Sequence, residues 1–232
     1  MSSRAQPGQF IAIEGGDGAG RSTQIGLLLP WLQSKGWAPL QVGLGRSTLI
    51  RRTLRDLRRG REVGNWTLAL VYAADLTDQA EWAVAQALAA GFTVVADRWT
   101  TTALARCAVR GIPPAWLEHL LPSEPQPDIR IHLQVPPQRR LEREVAKRGV
   151  PTWMEAGRDL FARGDPLRGF IRYQRLLDQQ IQELGSKCGN WHTLDGEGNV
   201  AEVQKRLRDM VSRLVRSVHM GEDKDGQAPE PQ

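Results

Sequence analysis

The stretch "FIAIEGGDGAGRSTQ", residues 10–24, carries the reading of this chain. It opens apolar and β-branched, turns glycine-rich, and ends in hydroxyl residues that begin a segment with helical spacing. Gly15, Gly16, Asp17, Gly18, Ala19, Gly20, Arg21 and Ser22 fit the phosphate-loop pattern G-x-x-x-x-G-K-[S/T] with one substitution, Arg21 in the lysine place. Glycines let such a loop curl until successive backbone N–H groups point at phosphate oxygens, and the helix that follows adds a favourable dipole. Ser22 or Thr23 supplies a hydroxyl suited to Mg²⁺. A ligand-free glycine turn is the plain alternative, but it does not call for a hydroxyl pair in a strand-to-helix setting. Arginine presents a bulkier planar fork than lysine's point charge, so phosphate binding should survive the exchange better than catalysis.

Working outward, short apolar runs recur at "QFIAIE", "PLQVGL", "FTVVAD", "IRIHLQV" and "WHTL". Helical spacing predicts helices over residues 22–35, 49–59, 66–90, 137–148, 166–184 and 200–215. Strands alternating with helices argue for a parallel sheet covered on both faces. There are no internal repeats, and the polar end "GEDKDGQAPEPQ" reads as a disordered tail.

The 232 residues suffice for one α/β domain. No apolar run reaches the roughly 18–20 residues of a membrane span, and the N-terminus lacks an apolar signal core. Cys107 and Cys188 suggest neither a disulfide framework nor a metal site, so a reducing cytoplasm is the expected setting. Of 31 basic residues only five are lysine, a skew that gives Arg21 an explanation in composition. The net charge of +5 suits an enzyme of anionic substrates. Seven arginines within residues 46–61 form a basic cluster, read as a solvated helix face with nucleic acid as the alternative.

Beyond the loop, the chain resembles the thymidylate kinase (dTMP kinase) family. Residues 10–24 match its first strand and loop, "VYAADL" (71–76) its "AADR" helix in part, and "GFTVVADRW" (91–99) its "GxxVxxDRY" strand end. "PDIRIHLQVPPQRRLEREVAKRG" (127–149) is similar to the family's fourth strand and following helix, and the likeness covers roughly residues 9–216. The resemblance implies a P-loop NTPase fold: a three-layer α/β sandwich with a five-stranded parallel sheet of order 2-3-1-4-5. It divides the chain into an extension (1–8), a kinase domain (9–216) with a small lid near 147–165, and a tail (217–232).

The same resemblance assigns roles. Residues 15–23 hold the phosphates of ATP, with Arg21 in the lysine place. Ser22 and Asp97 attend Mg²⁺, directly or through water, and Arg98 grips phosphate at the transfer point. Asp17 approaches the acceptor, and Tyr72 stacks on its base. Arg148, Arg158 and Arg163 are the lid arginines, and a homodimer is the implied assembly. The plain alternatives are a strand-end ion pair for Asp97 and Arg98, core packing for Tyr72, and surface positions for the lid arginines.

Four departures fall in the acceptor half. The family's "REPGGT" is "VGLGRS" at 42–47, the arginine of "AADR" is Leu76, "SxAYQG" is "ALARCA" at 103–108, and the aspartate of "LDVP" is Gln134. Leucine cannot replace a charge-assisted hydrogen bond worth roughly 1.5–3 kcal/mol. Two functions follow: a nucleoside monophosphate kinase passing the ATP γ-phosphoryl to dTMP or a related nucleotide, or a catalytically degenerate relative that binds nucleotide as a regulatory or interaction module.

Overall fold

The structure is a computed structural model; it describes residues 8–58, 62–121, 125–161 and 164–225. Five strands, β1 (Gln9–Glu14), β2 (Pro39–Gly43), β3 (Thr93–Asp97), β4 (Ile129–Gln134) and β5 (Trp191–Asp195), form one parallel sheet of order β2-β3-β1-β4-β5. Every strand coincides with an apolar run of the sequence, and the order is the one the family resemblance implies.

Alternation along β1 divides the core. Phe10 and Ala12 face one cluster, with Leu54 and Leu57 of α2 (Arg51–Arg58), Leu68, Tyr72 and Leu76 of α3 (Asn65–Gln79), and Val94 and Ala96. Ile11 and Ile13 face the other, with Ile25, Leu28 and Leu32 of α1 (Arg21–Ser34) and Val203, Leu207 and Val211 of the C-terminal helix. A period of two on the strand, with helices above and below, yields the three layers.

Helical spacing over 66–90 predicts one helix, but the chain inserts a π-helical turn at Ala80–Val84 between α3 and α4 (Ala85–Ala89). Two further helices, α5 (Thr100–Ala108) and α6 (Pro114–His119), have no counterpart among the predicted segments. Residues 100–107 of α5 are all buried, and the helix is short and opens on three threonines, whose β-branched side chains lower helix propensity. After α7 (Pro137–Arg148) and α8 (Pro166–Gly185), α9 runs Val200–Asp225. The helix continues past residue 216 into the segment expected to be disordered, which moves that boundary; residues 226–232 and 1–7 lie outside the described part. Among the described residues, no helix is long and apolar enough to cross a membrane.

The C-terminal ends of the strands gather the loop after β1, the end of β3 and the loop after β5, the edge where open α/β sheets bind ligands. Gly43 closes β2 there with φ +140, and a Cβ on it would run into the Asp97 carbonyl and lie 2.7 Å from the Asp97 nitrogen. Gln79 of α3 clamps the same glycine, accepting its N–H and donating to its carbonyl, both at 3.0 Å. Gly43→Ala should therefore destabilise the fold by about 1–3 kcal/mol, read as a lower denaturant midpoint at unchanged m-value.

Candidate active site

The loop after β1 packs on side chains from three helices. A Cβ at Gly16 would collide with the Arg140 guanidinium, its Cζ only 2.6 Å away, so any larger residue there would have to displace Arg140. Arg140, from α7, donates to Gln174 Oε1 at 3.0 Å and pairs with Asp178 on α8. Gln174 then holds residue 17 twice: its Oε1 accepts the Asp17 N–H at 2.9 Å, and its Nε2 donates to Asp17 Oδ2 at 2.8 Å.

Arg21 does not extend into open space. Its Nε donates to Asp97 Oδ1 at 2.9 Å, and its Nη1 donates to the carbonyls of Gly15, at 2.7 Å, and Gly16. The planar fork thus folds beneath its own loop and ties it to β3, a geometry that lysine's single ammonium cannot reproduce. Burial and the neighbouring Arg98 lower Arg21 to about 10, so it stays protonated at neutral pH. Ser22 Oγ donates to Asp97 Oδ2 at 2.8 Å, which leaves the hydroxyl's lone pairs for a cation. Burial alone would raise the Asp97 carboxyl, but Arg21, Arg98 and the Ser22 hydroxyl hold it at about 2.

Arg98 follows in the left-handed region, φ 66, an uncommon backbone for a residue with a side chain. Its Nη2 pairs with Asp17 and its Nε donates to Gly15 O at 3.3 Å. Asp17 is saturated: besides Arg98 and Gln174, Arg106 Nη2 lies 3.0 Å from each carboxylate oxygen. Burial opposes its ionisation, yet Arg106, Arg98 and Arg21 hold it well below the usual carboxylate range.

Asp17, Gly18, Ala19, Gly20, Arg21, Ser22, Thr23 and Arg98 share one cavity of about 630 Å³, a size that accommodates a nucleotide. Arg143, Lys147, Arg148 and Glu155 wall it opposite the loop, and residues 196 and 198–200 close the far side. Arg143 spans that gap, donating to Ala19 O and Gly196 O, each at 3.2 Å. Arg148 pairs with Glu144 and with Glu155, the latter at 3.0 Å. Arg158 is exposed and does not line this cavity, and Arg163 lies outside the described residues.

The acceptor half is arranged otherwise. Tyr72, 3% exposed, belongs to the core cluster, and its hydroxyl meets Arg106. Leu76 is fully buried, and Asp75 beside it accepts the N–H groups of Gly45 at 2.6 Å and Ser47 at 3.1 Å, fixing the 42–47 segment. One turn beyond Arg106, Arg110 donates to Tyr173 Oη at 3.1 Å and to Asp159 Oδ2 at 2.6 Å.

Sequence reasoning names the loop, Asp97 and Arg98, but misses Arg106, Arg140, Arg143 and Gln174. Arg140, Arg143/Glu144 and Lys147/Arg148 recur at helical spacing, a signal of one face turned to the loop. Gln174 carries no such mark.

A glycine-rich cradle opening a helix, faced by an acid at the end of the neighbouring strand, defines a phosphate-loop phosphotransferase. Residues 13–207 match the family described as Thymidylate kinase, and the chain belongs to that family. It is 35% identical to the thymidylate kinase of Thiobacillus denitrificans, over 90% of this chain and 98% of that one. The figure is 36% for the thymidylate kinase of a Synechococcus species, over 87% and 93%. The probable thymidylate kinase 2 of Saccharolobus solfataricus is 29% identical, over 90% and 97%.

Because Asp97 titrates near 2 when folded and near 3.8 otherwise, its ionised form adds about 2 kcal/mol to stability. That contribution is complete above about pH 5 and is lost as the pH falls towards 2. The destabilisation caused by Asp97→Asn, measured by denaturant titration, should therefore be largest at neutral pH and shrink through the acid range.

Proposed function

We propose that this chain binds Mg·ATP in the cavity between the phosphate loop and α7 and transfers the γ-phosphoryl to a nucleoside monophosphate, dTMP or a related nucleotide, giving the diphosphate. The observation that carries this reading is the joining of Ser22, Arg98 and Arg148 around one loop-floored cavity, with Asp97 behind its lining and bonded to Ser22 and Arg21. Backbone N–H groups of the loop would hold the phosphates, and Arg98 and Arg148 would face the charge that develops during in-line transfer. Ser22 and Asp97 offer the hard oxygen donors that suit Mg²⁺, which supplies charge neutralisation on the phosphates when bound. Besides these two side chains, Mg²⁺ would take ligands from water and from the nucleotide's phosphates. Arg21 acts as a brace, fixing the loop against Asp97. Trp66 and Leu70, 53% and 51% exposed on one face of α3, favour a homodimer through that helix.

A second reading, a nucleotide-binding module without turnover, is favoured by the packing of the acceptor half. Tyr72 and Leu76 are buried, and Arg106 covers the carboxylate of Asp17.

Millimolar Mg·ATP should raise the melting temperature, since it binds the native state alone; an unmoved transition would mean the cavity takes no nucleotide. A panel of nucleoside monophosphates with Mg·ATP, followed by ADP release, separates the two readings. If the chain is a kinase, at least one acceptor turns over, and Arg21→Lys changes the rate by no more than about tenfold, roughly 1.4 kcal/mol of barrier. If it is a binding module, no acceptor reacts, and Arg21→Lys alone creates no activity because Leu76 still leaves the acceptor unheld.

A further inference from the structure

We propose that the groove between α1 and α9 is a second nucleotide-binding site beside the phosphate-loop cavity, the two linings sharing Val200 alone. It is a cavity of about 780 Å³, larger than the one at the loop. Trp31 and Trp37 stand in it with ring centroids 6.3 Å apart and planes inclined at 72°, forming two walls of an aromatic corner. The Arg208 guanidinium lies 5.6 Å from the centre of the Trp31 ring and donates to Leu27 O at 3.2 Å. Lys35 and Lys205 join it in the lining, against the single carboxylate of Asp209. Leu27 and Val200 add apolar surface that is 40% and 50% exposed.

Flat rings beside a threefold cationic rim match a ligand that is planar and apolar at one end and anionic at the other. A base joined to phosphate has that form.

One chemistry, base stacking with phosphate pairing, could come from a free mononucleotide or from an unpaired strand, and the first is the one favoured by a single two-ring corner, which offers a stacking place for one base. The test uses the full chain labelled with 5-fluorotryptophan, the Trp31 and Trp37 fluorine resonances being assigned through Trp31→Phe and Trp37→Phe. dTMP, GMP and an unphosphorylated hexathymidylate are titrated separately, with a non-hydrolysable ATP analogue and Mg²⁺ present. Neither tryptophan lines the loop cavity, so the readout stands whether or not the kinase reading does. A saturable shift of both resonances by a mononucleotide is the expected result. Lys35→Glu with Lys205→Glu, both exposed positions, should weaken it by about tenfold without lowering the melting temperature. A shift produced by the oligonucleotide alone would reassign the groove to an unpaired strand and overturn the mononucleotide proposal. Resonances unmoved by every probe, or equal affinity in the charge-reversed protein, would also overturn it.

Discussion

The carboxylate of Asp97 is the point on which the site depends. It ends β3, receives the Arg21 Nε on one oxygen and the Ser22 hydroxyl on the other, and so joins the middle of the sheet to the start of α1. The sheet fixes Asp97 through its register, with Ile13 on one side and Gly43 on the other. Two parallel neighbours and a glycine without a side chain leave the residue little room to move. The loop, which has no regular backbone pairing of its own, inherits its shape from this anchor and from the carbonyl bonds of Arg21.

Arginine is the means by which this chain holds its loop. Arg21 braces it from below, Arg140 supports it through Gln174, Arg98 and Arg106 grip Asp17, and Arg143 bridges to the turn after β5. A forked guanidinium spans several acceptors at once, which lysine does not, and the excess of arginine in the composition therefore has a structural use here. The same preference separates the two halves of the site. On the donor side, arginines border an open cavity; on the acceptor side, Arg106 and Arg110 satisfy carboxylates and phenols inside packed protein.

Strands were legible in the sequence because each is a short apolar run bounded by turn residues, and the loop was legible because its glycines are needed at fixed spacing. Helix α5 was hidden for a physical reason: it is only nine residues long and opens on three β-branched threonines, poor helix formers. The π-helical turn at Ala80–Val84 was equally silent, since one added residue leaves composition unchanged. In the site, Asp97 and Arg98 could be read from a motif, whereas Gln174, distant from the loop by 157 residues, acts through a contact that only the fold creates. Arg106 lay within a segment read for what it lacked, and its bond to Asp17 was not foreseeable from that loss.

Gln174 has a consequence for what the loop can tolerate. Its amide is polar in a fixed sense, with the oxygen turned to a backbone N–H and to Arg140, and the nitrogen turned to a carboxylate. Rotating the amide by half a turn would set oxygen against oxygen and nitrogen against hydrogen. A glutamate would bring a second negative charge to Asp17, and a methionine of similar length would leave a buried N–H without an acceptor. One side chain therefore reads both the charge and the backbone direction of the loop, and α8 senses through it whether residue 17 is correctly set.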